Sequence, residues 1–215
     1  MLAIVAHTKR AEQAHHLMET VGAAYMTIDN GQLKAEGNHL KAWTWLNNNS
    51  HDEWSIVLED DAVPVHGFRQ QLNQALATAP TPTVVSLYMG RKRPPHWQNH
   101  LKEAASKAVE TDACWITGTH LLHGVGIAIK TDLVADMLTH TTTTRYPWDY
   151  RVAAWALNRK HPIHYTWPSL VEHADTPSVI TQHPDKMPRT PGRTAWCAAP
   201  RQQWNSNAIQ LRSKT

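Results

Sequence analysis

Short apolar runs alternate with longer stretches of helical periodicity through most of this chain, and that alternation decides the fold class. LAIVA (2–6), AYMTID (24–29), WSIVL (54–58), VVSLYM (84–89), DACWIT (112–117), VGIAIK (125–130) and HPIHYT (161–166) read as strands. After the first of these, Ala11, Ala14, Leu17, Met18 and Val21 share one helical face, and Gly22 ends the pattern. GNHLKAWTWLNNN (37–49) is a second helix with Leu40, Trp43 and Leu46 inward. Further helices are expected over 67–79, near 101–109, in TDLVADMLTH with Thr131 as its N-cap, and over 149–159. Strands alternating with such helices predict an α/β fold with a mostly parallel central sheet. Ligands of such sheets bind beyond the carboxyl ends of the strands, so residues that follow strands carry the search for function.

The third strand runs into three consecutive acids, Glu59, Asp60 and Asp61, in WSIVLEDDAVP. Side chains alternate along an extended chain, so Glu59 and Asp61 would point together and Asp60 away, unless a turn begins at once. Two readings stay open. The acids form a solvated turn, or they hold a divalent cation, for which their oxygens suit Mg²⁺ or Mn²⁺. His7, Thr8 and Arg10 follow the first strand and should lie at the same edge.

Composition narrows the class. The chain has 215 residues, 41% of them hydrophobic, enough for one packed domain. No apolar run approaches the roughly 18 residues needed to span a bilayer, and MLAIVAHTKR is too short in its apolar part for a signal peptide. With Cys114 and Cys197 far apart and no CxxC spacing, the expectation is a cytoplasmic protein with two thiols. Ten Trp against one Phe oblige some tryptophans to fill the core, while leaving others able to stack on sugars or bases. From Thr176 onward six Lys or Arg face one acid, Asp185, whereas residues 1–175 carry 15 basic and 17 acidic groups. The expected organisation is a domain over 1–174 and a basic, irregular Pro- and Trp-containing extension over 175–215 packed on it. The extension either attracts an anionic partner or merely solubilises.

VLEDDAVP resembles the acidic motif of glycosyltransferase family 25, the lipopolysaccharide- and collagen-modifying type, and of small related phage-encoded proteins. Four more segments resemble that family in the same order: EGNHLKAWTWL (with Asn38 where Ser is usual), HGVGIAIKTDLVADML, PWDYRVAAW and WPSLVEH. The likeness covers roughly residues 3–173. It implies a GT-A-like, Rossmann-type single domain using a nucleotide-sugar, UDP-linked by expectation. It implies Asp61, Glu59 and His173 as ligands of Mn²⁺ or Mg²⁺, with Glu59 and Asp60 also touching the donor. Asp149 is the implied general base, against the alternative that an Asp at a helix start is simply a cap. His7, Thr8, Arg10, Asn38, His39, His123 and Gly124 are candidate donor-site residues, and Arg193 with Trp196 is a candidate diphosphate cover, chosen on charge.

The expected acceptor is a hydroxyl of a glycan, a protein, or a hydroxymethylated pyrimidine in phage DNA, in the host cytoplasm. The lean to DNA comes from the basic extension and from Arg91, Lys92 and Arg93 beside Pro94-Pro95-His96-Trp97. A non-catalytic nucleic-acid-binding α/β protein and a metal-dependent nuclease or phosphatase are the competing classes.

Overall fold

The structure, a computed structural model, describes residues 1–142, 146–177, 179 and 191–212. Its strands are β1 (Leu2–His7), β2 (Tyr25–Asp29), β3 (Trp54–Glu59), β4 (Ala62–Pro64), β5 (Val84–Ser86), β6 (Trp115–Gly118), β7 (Gly126–Lys130), β8 (Ile163–Thr166), β9 (Val171–His173) and β10 (Ala208–Gln210). Its helices are α1 (Ala11–Val21), α2 (Lys34–Asn49), α3 (Phe68–Ala77), α4 (Gln98–Glu110), α5 (Val134–Thr141) and α6 (Trp148–Asn158).

Eight strands form one sheet in the order β10-β6-β8-β5-β7-β3-β1-β2. The pairings β1 with β2, β1 with β3, β5 with β8 and β6 with β10 are parallel, which makes the sheet mostly parallel as the alternation predicts. The mixture comes from β7, which runs against both β3 and β5, and from β6 against β8. An apolar run says nothing about strand direction, so this reversal was not legible. β4 and β9 make a separate antiparallel pair with Ala62 opposite His173.

Alternating side chains send the strands' residues to two cores, one on each face. Ala3, Val5 and Val57 join Trp43, Leu46, Leu101, Trp148 and Trp155 from α2, α4 and α6. Leu2, Ile4, Ile56 and Leu58 join Ala14, Leu17 and Leu72 from α1 and α3. Eight of the ten tryptophans are buried, so the excess of Trp is mainly core filling.

Two local expectations change. Thr131 does not cap α5 through its side chain: it opens a 3-10 turn, and its hydroxyl pairs with Ser55 across the sheet at 3.0 Å. Among its described residues the extension also contributes regular structure to the body. It supplies β10, and Ala195 and Trp204 enter one core while Leu211 enters the other. Arg201 donates to the carbonyls of Ala113 and Trp167 and pairs with Asp112, and Gln71 accepts from both the Arg201 amide and the Trp204 indole. Lys186, Arg189 and Lys214 lie outside the described residues. Among the described residues no helix is long and apolar enough to cross a membrane.

Candidate active site at the carboxyl end of the third strand

Because β1 and β3 are parallel neighbours with Val5 opposite Glu59, the turns that leave them stand side by side. The 3-10 turn Thr8–Arg10 brings Arg10 against the acids. One nitrogen of that guanidinium, Nη1, donates to Asp60 Oδ1 at 2.8 Å and to Asp61 Oδ2 at 2.7 Å, while Nη2 donates to the Pro177 carbonyl at 2.9 Å. The His7 amide donates to Asp60 Oδ2 at 2.8 Å. Strict alternation fails here because β3 ends at Glu59, and the turn lets one cation grip both aspartates. Burial raises the Asp60 carboxyl above its ordinary range, against the opposing pull of the His7 amide and Arg10.

Glu59 faces a different set of groups. His39, from the middle of α2, places Nε2 3.2 Å from Glu59 Oε1, and its ring stacks on Trp148 at 5.5 Å and 7°. A methyl group built on Gly124 would sit 2.8 Å from Glu59 Oε1 and 3.9 Å from Asp149 Cβ. Gly124 therefore lies against both acidic residues, at the Glu59 carboxylate and the Asp149 Cβ, where a side chain would crowd Glu59. Asp149 lies in the first turn of α6, after Pro147, and accepts a hydrogen bond from the Tyr150 amide at 3.0 Å.

The two carboxylates are driven apart in acidity. Burial, with help from the Glu59 charge, pushes Asp149 up to about 6. Burial acts to raise Glu59 too, but the hydrogen bond and charge of His39, with the charges of His173 and Arg10, hold it below its ordinary value. One site thus contains an ionised acid and a neighbour that exchanges its proton near physiological pH, a pattern typical of acid–base chemistry.

His173, at the end of β9, places Nε2 3.4 Å from Asp61 Oδ2, and its Nδ1 accepts from the Asp175 amide at 2.8 Å. Asp61 Oδ1 is buried without a hydrogen-bond partner. Of the three expected cation ligands, Asp61 and His173 stand together at 3.4 Å, while Glu59 Oε1 faces His39. Arg10 stands on Asp61, and no group of three His, Cys, Asp or Glu among the described residues has the arrangement of a metal site.

The other expected site residues divide. His123 donates through Nε2 to the Arg93 carbonyl at 2.8 Å and meets the Tyr88 ring edge-on; burial lowers it to about 4, so it is neutral in the site. Asn38 is engaged inside the fold, accepting from Thr27 and donating to the Ala6 carbonyl. His7 uses Nδ1 to accept the Lys9 amide, and Thr8 is exposed in the same turn. Arg193 reaches the site's rim but is held by Asp175 at 3.5 Å and the Thr176 carbonyl at 2.8 Å. Tyr88 donates to the Arg193 carbonyl at 2.7 Å, and Glu172 accepts the amides of His173 and Ala195. Sequence reasoning missed Tyr88, Glu172 and Asp175, because only the β4–β9 pairing and the return of the extension bring them to the acids.

No family model matches the chain, and no curated protein matches it. Solved structures align over much of its length. A crystal structure of A197 from STIV is 9% identical, with 100% of this chain and 98% of that chain covered and a TM-score of 0.47. A glycosyltransferase involved in the glycosylation of the major capsid of PBCV-1 is 10% identical, with 76% and 79% covered and a TM-score of 0.39. The CMP:2-keto-3-deoxy-manno-octonic acid synthetase complexed with CTP is 11% identical, with 76% and 88% covered and a TM-score of 0.36. At these scores the likenesses carry nothing about chemistry, which rests on the site itself.

Proposed function

We propose that this chain is a glycosyltransferase that moves a sugar from a nucleotide-sugar, UDP-linked, to an acceptor hydroxyl, with Asp149 as the base. The observation that supports it is that Glu59 and Asp149 both neighbour Gly124 at the carboxyl end of β3, close enough for the Glu59 charge to act on Asp149, with their acidities displaced in opposite directions. The ordered motifs resembling glycosyltransferase family 25 support the same reading, since the acids, Gly124, Asp149 and His173 all fall inside them.

In this reading Asp149 accepts the proton of the acceptor hydroxyl as the oxygen attacks the anomeric carbon. The bond from that carbon to the diphosphate breaks, and the nucleotide leaves with the electron pair. A base titrating near 6 is mostly ionised at neutral pH, yet is stronger than an ordinary Asp. Glu59, kept ionised by His39, sits where positive charge builds on the sugar ring.

For the acceptor, the reading proposed is hydroxymethylated pyrimidine DNA, with a glycan as the alternative. Arg91 lies 5.0 Å over the Trp196 ring and donates to the Trp196 carbonyl, and Lys92 is tethered to the Pro191 carbonyl next to it. Cations interleaved with an aromatic face suit a phosphate backbone with unstacked bases. The test is nucleotide release from a panel of UDP-, GDP- and CDP-sugars, with glycan or hydroxymethylated DNA then added. Release from one donor, accelerated by one acceptor, is expected. DNA binding without cleavage or binding of any donor would replace this reading with a non-catalytic nucleic-acid-binding protein.

A further inference from the structure

We propose that Arg10 is the resident cation of the Asp60–Asp61 pair and stands where a divalent metal would otherwise bind, so that the site takes its nucleotide without one. The inference rests on the nucleotide-sugar reading above for its ligand, but its geometry is independent of that reading.

Two observations carry it. The first is the guanidinium itself. A single nitrogen bridges one oxygen of each aspartate, at 2.8 and 2.7 Å, and all three side chains are nearly buried, at 9%, 6% and 11% exposed. An ion bound between those oxygens would have to displace a desolvated, hydrogen-bonded cation that is also tied by Nη2 to the Pro177 carbonyl. Arginine stays protonated under all ordinary conditions, so it does not vacate the place by losing charge.

The second observation is the tautomer of His173. Its Nδ1 accepts the Asp175 N–H at 2.8 Å, so in the neutral ring the proton sits on Nε2, which faces Asp61 Oδ2 at 3.4 Å. A metal on Nε2 needs the opposite tautomer, with a proton on Nδ1, and that proton would point at the Asp175 N–H. Histidines that ligate metals instead donate their second N–H to an acceptor. His173 therefore turns a proton-bearing nitrogen, not a lone pair, toward Asp61 at an ion-pair distance of 3.4 Å. With Glu59 Oε1 on His39 and Asp61 Oδ2 on Arg10, two of the three expected metal donors already face a proton-bearing partner, while Asp61 Oδ1 stays buried and unpaired.

Mn²⁺ titration of the purified full chain, followed by loss of the free-ion electron paramagnetic resonance signal, tests this directly. UDP affinity should be measured alongside by calorimetry, in EDTA and in Mn²⁺. Wild type should take up no stoichiometric Mn²⁺ through the millimolar range, and UDP should bind alike in both buffers. Arg10→Ala should gain a Mn²⁺ site that Asp61→Asn abolishes, a response that loss of a merely structural contact would not produce. Arg10→Lys, which keeps the charge, should stay folded and remain without Mn²⁺. Stoichiometric Mn²⁺ on the wild type that is lost in Asp61→Asn would overturn the proposal. So would a gain in UDP affinity with Mn²⁺ of the size usual for coupled ligands, about 5–150-fold, or a folded Arg10→Ala that takes up no Mn²⁺. If Arg10→Ala does not fold, the wild-type titration decides alone. Absence of UDP binding in both buffers would count against the nucleotide-sugar reading, while the Mn²⁺ titration would still decide the role of Arg10.

Discussion

Replacing Asp149 by Asn should make the protein more stable and inactive at once, and the size of the gain follows from the site. Asp149 titrates at about 6 in the fold against an ordinary 3.8, with burial as the main cause. Below 3.8 the group is neutral in both the folded and unfolded chain and has no influence. As pH rises from there to about 6, the unfolded chain releases the proton while the fold retains it, so wild-type stability falls across that window and then levels. At 1.36 kcal/mol per tenfold change in acidity, ionised Asp149 costs the fold about 3 kcal/mol at neutral pH. Asn cannot ionise and its side-chain oxygen can still accept the Tyr150 amide. Asp149→Asn should therefore gain about 2–3 kcal/mol at neutral pH and almost nothing at about pH 4. For a chain of this size that is about 5–10 °C in Tm. The assay is thermal unfolding of both proteins across that pH range, paired with donor turnover, which should drop about 10²–10⁴-fold. A variant less stable than wild type at neutral pH, or a difference that does not change with pH, would refute the reasoning.

Three further outcomes follow from the same geometry. The transfer rate should climb as pH rises through about 6 and then level, since the base must be ionised; an acid-side limb that survives in Asp149→Asn would assign that proton elsewhere. Gly124→Ala places a carbon 2.8 Å from Glu59 Oε1 and should swing that carboxylate off His39, at about 1–3 kcal/mol of strain. Its turnover should fall by more than its stability loss explains, as judged by activity measured well below Tm. Gln71→Leu leaves the Trp204 indole N–H and the Arg201 amide unpaired and should destabilise by about 2–4 kcal/mol in urea unfolding, with nucleotide affinity unchanged.

The parts of the fold legible in the sequence are those with enough residues to show a period. β1, β3 and β7 are apolar runs buried on both faces, and α1 and α2 carry one apolar stripe each, ending at Gly22 and at the three-Asn run. β4, β9 and β10 have three residues apiece, too few for any period, and they exist because of their partners. The extension shows how charge misleads. Arg193 and Arg201 look available for an anion in sequence, yet the fold spends them on Asp175, Asp112 and backbone carbonyls. At the site, the three acids were visible as residues at the end of a strand, whereas His39, Gly124, Asp149 and His173 came into view only through the family resemblance. Their pairing was visible in neither. Arg10 was expected to touch a nucleotide, and only the parallel register of β1 on β3 reveals that it neutralises Asp60 and Asp61.

The most direct test of the nucleotide-sugar reading is a crystal structure of the chain soaked with the donor that thermal shift selects from the panel. The diphosphate should lie beyond the end of β3 beside Arg10 and His173, with the sugar's anomeric carbon between Glu59 and Asp149 over Gly124. A nucleotide found elsewhere, for instance in the groove between Tyr25, Leu40 and Trp45 on the opposite edge of α2, would contradict the account.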